Sequence, residues 1–306
     1  MAVVSRPIDL SQLPAPDVVE VIDYERILEE RKARLVALFA SDERNAVQRA
    51  LALESEPLAI LLQENAEREV NFRQRVNEAA RALLLAFARK GDLEQIAAEY
   101  GVTRLEITPA DASTSPPTAA VMEDDESLRY RAQMAWEGLS TAGPRGAYEF
   151  HSRSAHGLVA DVSAISPEPC DILVSVLSHE GNGTASPAVL DAVRLALSDE
   201  DVRPMGDRVT VQSSRITTFR VRAVLHLTGA GPGSEVTLAT ATKSCTAYVN
   251  RPRRQGQSVW RSALTAGLHV EGVDHLELLE PAADIALDAT QAATCLEVIV
   301  TPAAAQ

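Results

Sequence analysis

The spacing of apolar residues divides the chain into two regions. In residues 23–107 the apolar positions recur three or four residues apart, which is the period of an amphipathic helix. From residue 158 onward, short runs alternate between apolar and polar residues, which is typical of half-buried strands. The pattern predicts the α+β class: an all-helical N-terminal half with a long bundle helix, followed by two small α+β modules.

A single long helix is predicted between Ser55 and Gly91. Ser55 suits an N-cap, Pro57 suits a first helical turn and Gly91 suits a helix end. The intervening residues, about 35, would span roughly 50 Å. Because a small domain rarely needs so long a rod, we expect other chains to cover its apolar side. That side is the candidate bundle interface: Leu61, Phe72, Val76, Leu83 and Phe87.

Proline-rich segments mark further boundaries. Prolines near the start predict an extended arm, because proline disfavours helix and lacks a backbone donor. We expect the apolar residues of this arm to lie on a partner's surface. A later stretch rich in Pro, Ser and Thr predicts a loop or linker. The resulting division is 1–22 (extended N-terminal arm), 23–107 (helical core-bundle region), 108–124 (loop or linker), 125–157 (helical junction), 158–214 (first α+β module) and 215–306 (second α+β module).

The run LSTAGPRGAYEFHSRSA, residues 139–155, combines a Gly/Pro turn with arginine and histidine. A helix N-terminus attracts anions, so a phosphate-binding loop is one interpretation. However, no predicted strand precedes the run, and it matches neither GxGxxG nor a P-loop. A joint between two helices explains the glycines and the proline better, since both residue types have geometric roles there. The candidate junction or hinge residues are Gly138, Gly143, Pro144 and Gly146.

Charge and cysteine content narrow the possible function classes. Lys and Arg total 29 whereas Asp and Glu total 43, so the formal net charge is −14. This balance disfavours nucleic-acid binding, which depends on positive charge facing phosphates. The three cysteines are far apart and show no zinc or disulfide spacing. With no signal-peptide pattern and no apolar run of about 20 residues, we expect a soluble protein without a membrane span.

Candidate chemical groups are few. His151 shares the apolar side of its predicted helix, which favours a core or interface histidine over a metal ligand or base. His179 lies in a loop without a nucleophile or a third ligand, His226 lies on the polar side of its strand, and His275 flanks a turn. The acidic run at 123–126 lacks the spacing and glycine of a calcium loop and suits a solvated helix start.

Motifs that carry chemistry are absent from the sequence. It contains no GxSxG, HExxH, P-loop or paired-carboxylate constellation. We therefore predict no catalytic, cofactor-binding or metal-binding residues and no cofactor. The combination of a long helix, small modules and few reactive groups favours assembly over catalysis.

Six segments spread along nearly the whole chain resemble the baseplate J-like family of contractile-tailed phages, phage-tail-like bacteriocins and related injection machines. They occur in the family's order, and several of them are long. The segments are IDLSQLPAPDVVEVIDYERILEERKARLVALF, ALESEPLAILLQENAEREVNFRQRVNEAARALLLAFA, GDLEQIAAEYGVTRL, LSTAGPRGAYEFHSRSA, VSAISPEPCDILVSVLS and LSDEDVRPMGDRVTVQS.

The resemblance implies a structural role in a baseplate wedge. Two copies of the chain are expected to join one copy of a tail protein I-like partner in a heterotrimer. Six wedges would then form a ring around the hub and spike, with a W-like sheath initiator as a further neighbour. The helical half would enter a core bundle, and the α+β modules would make the contacts that close the ring.

The family role also implies when and where the protein acts. The ring is expected to hold the loaded state and to help trigger sheath contraction. Assembly is expected in the bacterial cytoplasm, and the product would be the baseplate of a virion or tail-like particle. The resemblance assigns no catalysis to residues 139–155, and the Gly/Pro turn there is a candidate pivot.

A baseplate-associated cell-wall-degrading enzyme is the alternative, because tail structures often carry a lysin. Such an enzyme needs a carboxylate pair in a cleft or a metal triad, and the sequence alone assembles neither. A receptor-binding fibre would predict long β-repeats, which the sequence lacks.

Overall fold

A computed structural model describes residues 8–14, 16–228, 232–250 and 254–303, except for the side chains of Ser11 and Pro232. The chain divides into two compact units, Arg6–Glu99 and Tyr100–Gln306. The first seven residues of the predicted arm lie outside the described residues.

The N-terminal unit is helical in its described part. A short 3-10 helix at Leu10–Gln12 interrupts the arm, which is therefore not extended throughout as predicted. Asp23 caps the first long helix, since its side chain accepts a hydrogen bond from the backbone N–H of Arg26. The helices are α1 (Tyr24–Leu38), α2 (Arg44–Ala50), α3 (Pro57–Ala82) and α4 (Lys90–Glu99).

The predicted long helix is wrong at its C-terminal end and at its cap. It begins at Pro57 as expected, but Glu56 rather than Ser55 occupies the N-cap position. Helix α3 ends at Ala82 after 26 residues, because turn hydrogen bonds replace the helical pattern beyond it. Gly91 does not end this helix and instead lies in the first turn of α4.

Helix α1 packs along α3. Ile27 and Leu28 of α1 and Ala66 of α3 form a small buried core, which Leu62 and Val70 extend. These α3 residues follow one another at helical spacing, so they occupy a single side of the helix.

Charged groups continue the contact between α1, α3 and the arm. Glu69 of α3 accepts hydrogen bonds from Arg73 and Arg31, and these lower the pKa of Glu69 below its ordinary value. Arg73 also pairs with Glu20 at 2.9 Å. Asn77 donates to the carbonyl oxygen of Glu20 over 2.9 Å and accepts from its N–H over 3.0 Å. The end of the arm is therefore held on α3.

The C-terminal unit combines helices with three small sheets. In chain order its elements are β1 (Glu106–Thr108), β2 (Val121–Met122), α5 (Asp125–Gly138), α6 (Arg145–Ser154), β3 (Val159–Glu168), β4 (Asp171–Ser178), α7 (Pro187–Leu197), β5 (Arg208–Ser213), β6 (Arg215–Leu227), α8 (Pro232–Val249), α9 (Arg261–Leu268), β7 (Val273–Glu280) and β8 (Gln291–Pro302).

The segment predicted as a loop or linker, 108–124, forms a closed hairpin instead. Strand β1 pairs antiparallel with β2, and a further bridge joins Asp111 to Thr118. The Thr114 hydroxyl accepts a hydrogen bond from the Thr118 N–H over 3.1 Å. Local hydrogen bonds therefore order a stretch whose composition alone indicated a linker.

The first module packs one sheet against helices. Its strand order is β3-β4-β5, with β3 antiparallel and β5 parallel to the central strand β4. Helix α7 supplies the crossover that a parallel connection requires. Tyr148 of α6 lies in the same core as Val174 and Val193. Helix α6 therefore packs with this module, across the predicted boundary at residue 158.

The second module has a related architecture with a different strand order. Its central strand β6 pairs antiparallel with β7 and parallel with β8. Leu264 and Leu268 of α9 pack with Val221 and Leu225 of β6 in a closed core. The central strand comes second along the chain in the first module and first in the second module, so the two strand orders differ.

These elements confirm the predicted α+β class with a helix-rich N-terminal half. Among the helices that the structure describes, none is both long and apolar enough to cross a membrane.

Candidate functional site

The corner between α5 and α6 contains the four predicted junction residues. Gly138 is the last residue of α5, and Pro144 is the N-cap residue of α6. Gly143 has a φ of 73°, a left-handed conformation that favours glycine, and this reverses the chain direction before α6 starts. The structure thus brings the predicted residues together in one turn.

Two of these glycines allow close approach of the helices. A Cβ added at Gly138 would fall inside the ring of Phe150, and one added at Gly146 would lie 2.7 Å from Oε2 of Glu137. Alanine at Gly138 would therefore push the Phe150 ring, and with it α6, away from α5, whereas alanine at Gly146 would displace the Glu137 side chain.

His151 closes the same corner. Its Nε2 donates a hydrogen bond to the carbonyl oxygen of Gly138 over 3.0 Å, and its ring meets Phe150 edge-on. This carbonyl lies at the C-terminal end of α5, where helical partners are missing. His151 is thus hydrogen-bonded where α5 meets α6, in agreement with the prediction of a core or interface histidine.

The corner is attached to the loop that precedes β5. Tyr148 donates a hydrogen bond to Oδ2 of Asp207 over 2.6 Å, and burial together with this carboxylate raises the pKa of Tyr148. A Cβ on Gly143 would lie 3.0 Å from the same oxygen. The carboxylate therefore stands beside the turn where a phosphate would have to bind, which favours the joint over the anion site.

A polar cluster joins the two modules. Arg153 of α6 pairs with Asp161 of β3, which is buried. The other carboxylate oxygen of Asp161 accepts a hydrogen bond from the backbone N–H of Gln255 over 2.8 Å. The Gln255 side chain donates to the carbonyl of Ser175 over 2.6 Å. Gln255, in the segment between α8 and α9, is thus hydrogen-bonded to strands β3 and β4 of the first module.

Tyr130 of α5 extends this cluster to the helical corner. The guanidinium of Arg153 lies 4.7 Å from the Tyr130 ring centroid, and that of Arg254 lies 5.4 Å from it. Cation–π contacts of this kind are attractive and strengthen when water is excluded. Burial lowers the pKa of Arg153. The sequence indicated none of these residues, because their partners come from distant segments.

A buried ion pair anchors the hairpin to α5. Arg131 pairs with Glu123 at 2.5 Å and donates to the carbonyl of Thr103 over 2.6 Å. Glu123 also accepts from the N–H of Leu105 over 3.1 Å. The interpretation of the acidic run as a solvated helix start is therefore wrong for Glu123, whereas Asp124 does cap α5 through the N–H of Ser127.

The predicted bundle interface divides into two groups. Leu61, Phe72 and Val76 lie on α3 and are exposed, and Leu83 follows as its C-cap residue. Their spacing places them on a side of α3 other than the one that packs on α1. Phe87 lies in the turns beyond α3 and is half-buried, so it does not continue this side.

One cluster of possible metal ligands appears in the part of the chain that the structure describes. His226, His275 and Glu277 each place one ligand atom within 4.8 Å of the other two. The two histidines lie far apart in the sequence, so no local pattern links them. Only the register of β6 against β7 brings them together, since His226 lies directly opposite His275.

A solved structure with some similarity is the cryo-EM structure of the anti-feeding prophage (AFP) baseplate, 6-fold symmetrised. It aligns over 58% of this chain and 44% of that chain, with 14% identity and a TM-score of 0.38. The chain thus spans less than half the length of that solved chain.

Sequence comparisons identify the family. Residues 54–111 match the family model for the Baseplate J-like N-terminal domain, and residues 140–213 match that for the Baseplate J-like central domain. Baseplate protein J of Escherichia phage P2 is 56% identical over 290 residues, which cover 95% of this chain and 96% of that protein. The chain therefore belongs to the baseplate J-like family.

Proposed function

We propose that this chain is a structural component of the baseplate of a phage or phage-tail-like particle. The observation that carries the proposal is the exposed apolar side of α3, on which Phe72 is 71% exposed, with Leu83, at its end, 80% exposed. Exposed apolar surface of this kind is typical of protein–protein contact sites. The relationship to a phage baseplate protein supplies the kind of assembly that would cover it.

The finer assembly follows the family pattern. Two copies join one tail protein I-like chain in a wedge heterotrimer, in which α3 enters a core bundle and the arm lies on a partner. Six wedges form a ring around the hub, with a W-like sheath initiator beside it. The ring assembles in the bacterial cytoplasm and helps trigger sheath contraction. The exposed apolar side of α3 supports the bundle, since large apolar side chains such as Leu61 and Phe72 can pack between the side chains of another helix.

The corner at Gly138, Gly143, Pro144 and Gly146 is proposed as the joint that sets the angle between α5 and α6. Its role as a pivot is supported by the left-handed conformation of Gly143 in the turn. Hinge motion in residues 139–144 would have to break the hydrogen bond from His151 to Gly138, which ties α6 to the end of α5.

Co-expression of the full chain with a tail protein I-like partner tests the bundle. We expect a stable complex with two copies of this chain per partner, measured by light scattering after gel filtration. Phe72→Glu should reduce complex formation at least about tenfold, since burial of such a side chain contributes about 1.5–3 kcal/mol.

Gln74→Glu is the matched control, because it adds the same carboxylate to an exposed position on the opposite side of α3. It should assemble as the wild type does. A stable, fully helical monomer, or normal assembly by Phe72→Glu, would contradict the bundle.

The cell-wall-degrading alternative has one supporting observation, the cluster of His226, His275 and Glu277. Two histidines and a glutamate are also the ligands of some catalytic zinc sites. Release of soluble peptidoglycan fragments by the purified chain, lost on Glu277→Gln, would favour the enzyme. An inactive chain that assembles normally would favour the structural role.

A further inference from the structure

The outer face of the second sheet carries a group of donor atoms that the baseplate role does not explain. His226 of β6 and His275 of the edge strand β7 are directly opposite each other, and their rings are stacked with centroids 3.8 Å apart. Glu277 lies two residues beyond His275 and therefore on the same face of β7. Leu225 and Leu276 point to the opposite face and pack in the core.

The hydrogen bonds leave the imidazole lone pairs available. Nδ1 of His275 lies 3.2 Å from Oδ2 of Asp274, and as the donor of this pair it leaves Nε2 to act as a ligand. Nε2 of His226 is shielded from solvent and makes no hydrogen bond to the described residues. Oε1 of Glu277 lies 3.4 Å from that nitrogen. A shielded ring nitrogen without a hydrogen bond is unfavourable unless something else binds there.

We propose that His226, His275 and Glu277 together bind one divalent transition-metal cation of the zinc type. Two imidazoles and a carboxylate suit Zn²⁺, whereas Ca²⁺ and Mg²⁺ prefer sites made of oxygen ligands alone. Asp274 acts as the positioning residue, because a carboxylate on the far ring nitrogen fixes the tautomer and orientation of a metal-bound histidine.

The geometry requires a rearrangement of the side chains. Zn²⁺ binds histidine nitrogen at about 2 Å, so ligand atoms around a tetrahedral ion lie roughly 3.3 Å apart. The three ligand atoms here lie within 4.8 Å of one another. Because an imidazole binds a metal in the plane of its ring, the exposed His275 ring must rotate out of its stack on His226 while the exposed Glu277 side chain closes the remaining gap. Because the sheet face is open, water occupies the fourth position.

The bound cation would clamp an edge strand to its neighbour. Strands β6 and β7 are separated along the chain by α8 and α9, and their register shifts between His226 and Leu227. A ligand set drawn from both strands ties them together beside this irregularity. The cation therefore stabilises the second module, since binding to the folded state alone raises stability.

Zinc titration of the full chain tests the site. The protein is first stripped with a chelator and carries Cys170→Ser, which removes an exposed free thiol, a group that could compete for zinc. We expect one Zn²⁺ per chain by calorimetry and a raised melting temperature, with no effect of Ca²⁺ or Mg²⁺. His226→Ala and His275→Ala should each weaken binding at least about tenfold, and Asp274→Asn should weaken it by about 10–100-fold.

His269→Ala is the matched control, because it removes an exposed histidine from the same module. It should bind Zn²⁺ as the parent does, and circular dichroism should show that all variants are folded. Absence of saturable zinc binding by the folded parent, or unchanged affinity in His226→Ala, would overturn the proposal.

Discussion

The two units of this protein bury their apolar and charged groups differently. In the N-terminal unit, α1 and α3 share a small core around Ile27 and Ala66, and the half-buried ion pair of Arg31 with Glu69 extends their contact. Phe72 of α3 remains largely exposed. In the C-terminal unit, each three-stranded sheet has a closed core, and the ion pair of Glu123 with Arg131 is buried.

This difference suggests that the C-terminal unit is stable by itself, whereas the N-terminal unit is built to bind other chains. A closed core stabilises a module without partners, because apolar area removed from water is the main favourable contribution. A helix with an exposed apolar side gains further stability only when another chain covers it. Substitutions should therefore affect the stability of the C-terminal unit and the partner binding of the N-terminal unit.

The tryptophans make this comparison measurable in the intact chain. Trp136 and Trp260 both lie in the C-terminal unit, and the sequence has two tryptophans in all. Tryptophan fluorescence therefore follows unfolding of the C-terminal unit, while far-ultraviolet circular dichroism also follows the N-terminal helices.

The largest expected effect is loss of the buried ion pair. Arg131→Ala leaves Glu123 buried without its partner, and breaking such a pair destabilises by about 3–5 kcal/mol. Arg68→Ala removes the exposed pair with Glu64 on α3 and should change stability by less than about 1 kcal/mol. Urea unfolding followed by fluorescence and circular dichroism measures both variants. Equal effects would remove the contrast between the units.

Matched leucine truncations should give the next largest difference. Leu264 is fully buried in the second module, so Leu264→Ala should destabilise it by about 2–5 kcal/mol through lost burial and a cavity. Leu61 is exposed on α3, and Leu61→Ala should stay within about 0.5 kcal/mol of the wild type. If α3 binds the proposed tail protein I-like partner, Leu61→Ala should weaken that complex although it barely changes stability. Wild-type partner affinity in Leu61→Ala would argue that α3 is not an interface.

Glycine substitutions sharpen the comparison at the corner. Gly138→Ala meets the ring of Phe150 and should destabilise the C-terminal unit by about 1–3 kcal/mol. Gly91→Ala in α4 has no atom within 4 Å of the added Cβ, so it should be neutral or stabilise by up to about 1 kcal/mol. Chemical unfolding of the two variants provides the measurement. A neutral Gly138→Ala would show that the corner opens easily.

Two further glycine substitutions test the proposed pivot. The double variant Gly143→Ala with Gly146→Ala should impair particle assembly or contraction, but steric contacts alone predict this as well. The stability of the purified double variant must therefore be measured alongside particle assembly and contraction. A stable variant whose particles assemble but do not contract would support a hinge, whereas wild-type yield and contraction would contradict the joint.

Local signals made much of the fold predictable. Pro57 at the start of α3 and Asp23 before α1 are placed by backbone chemistry that depends on a few neighbouring residues. The alternation of apolar and polar residues that indicated strands after residue 158 is visible in β6, because one of its faces is buried and the other is not. Helix starts and strand alternation are determined by residues that lie close together in the sequence, which is why they could be predicted.

Features that depend on residues distant in the chain could not be predicted from the sequence. Helix α3 ends at Ala82, directly before the leucine run at 83–85, and no helix-breaking residue marks this end. The burial of Glu123 depends on Arg131 one element later, and the pairing of His226 with His275 depends on strand register across two intervening helices. Strand register is set by the packing of the whole module, so no local sequence pattern predicts it.

The smallest expected effect concerns acid stability of the N-terminal unit. Hydrogen bonds from Arg73 and Arg31 lower the pKa of Glu69 below its ordinary value of 4.5, so Glu69 stabilises the folded state above that pH. This contribution is lost as the pH falls through the folded-state pKa, and for a surface network it should amount to less than about 1 kcal/mol. Glu69→Gln should therefore show a smaller loss of helical signal than the wild type between neutral pH and pH values below 4.5.

Glu64→Gln, in an exposed pair on the same helix, is the control for removing one carboxylate from α3. A comparison of variants is needed because Asp111 and Asp288 in the C-terminal unit also have lowered pKa values, from hydrogen bonds to Ser113 and Thr290. The pH curve of the wild type alone therefore mixes both units. If Glu69→Gln follows the wild-type curve at low pH, the charged contact between α1, α3 and the arm contributes nothing, and the N-terminal unit depends on its small core and its partners alone.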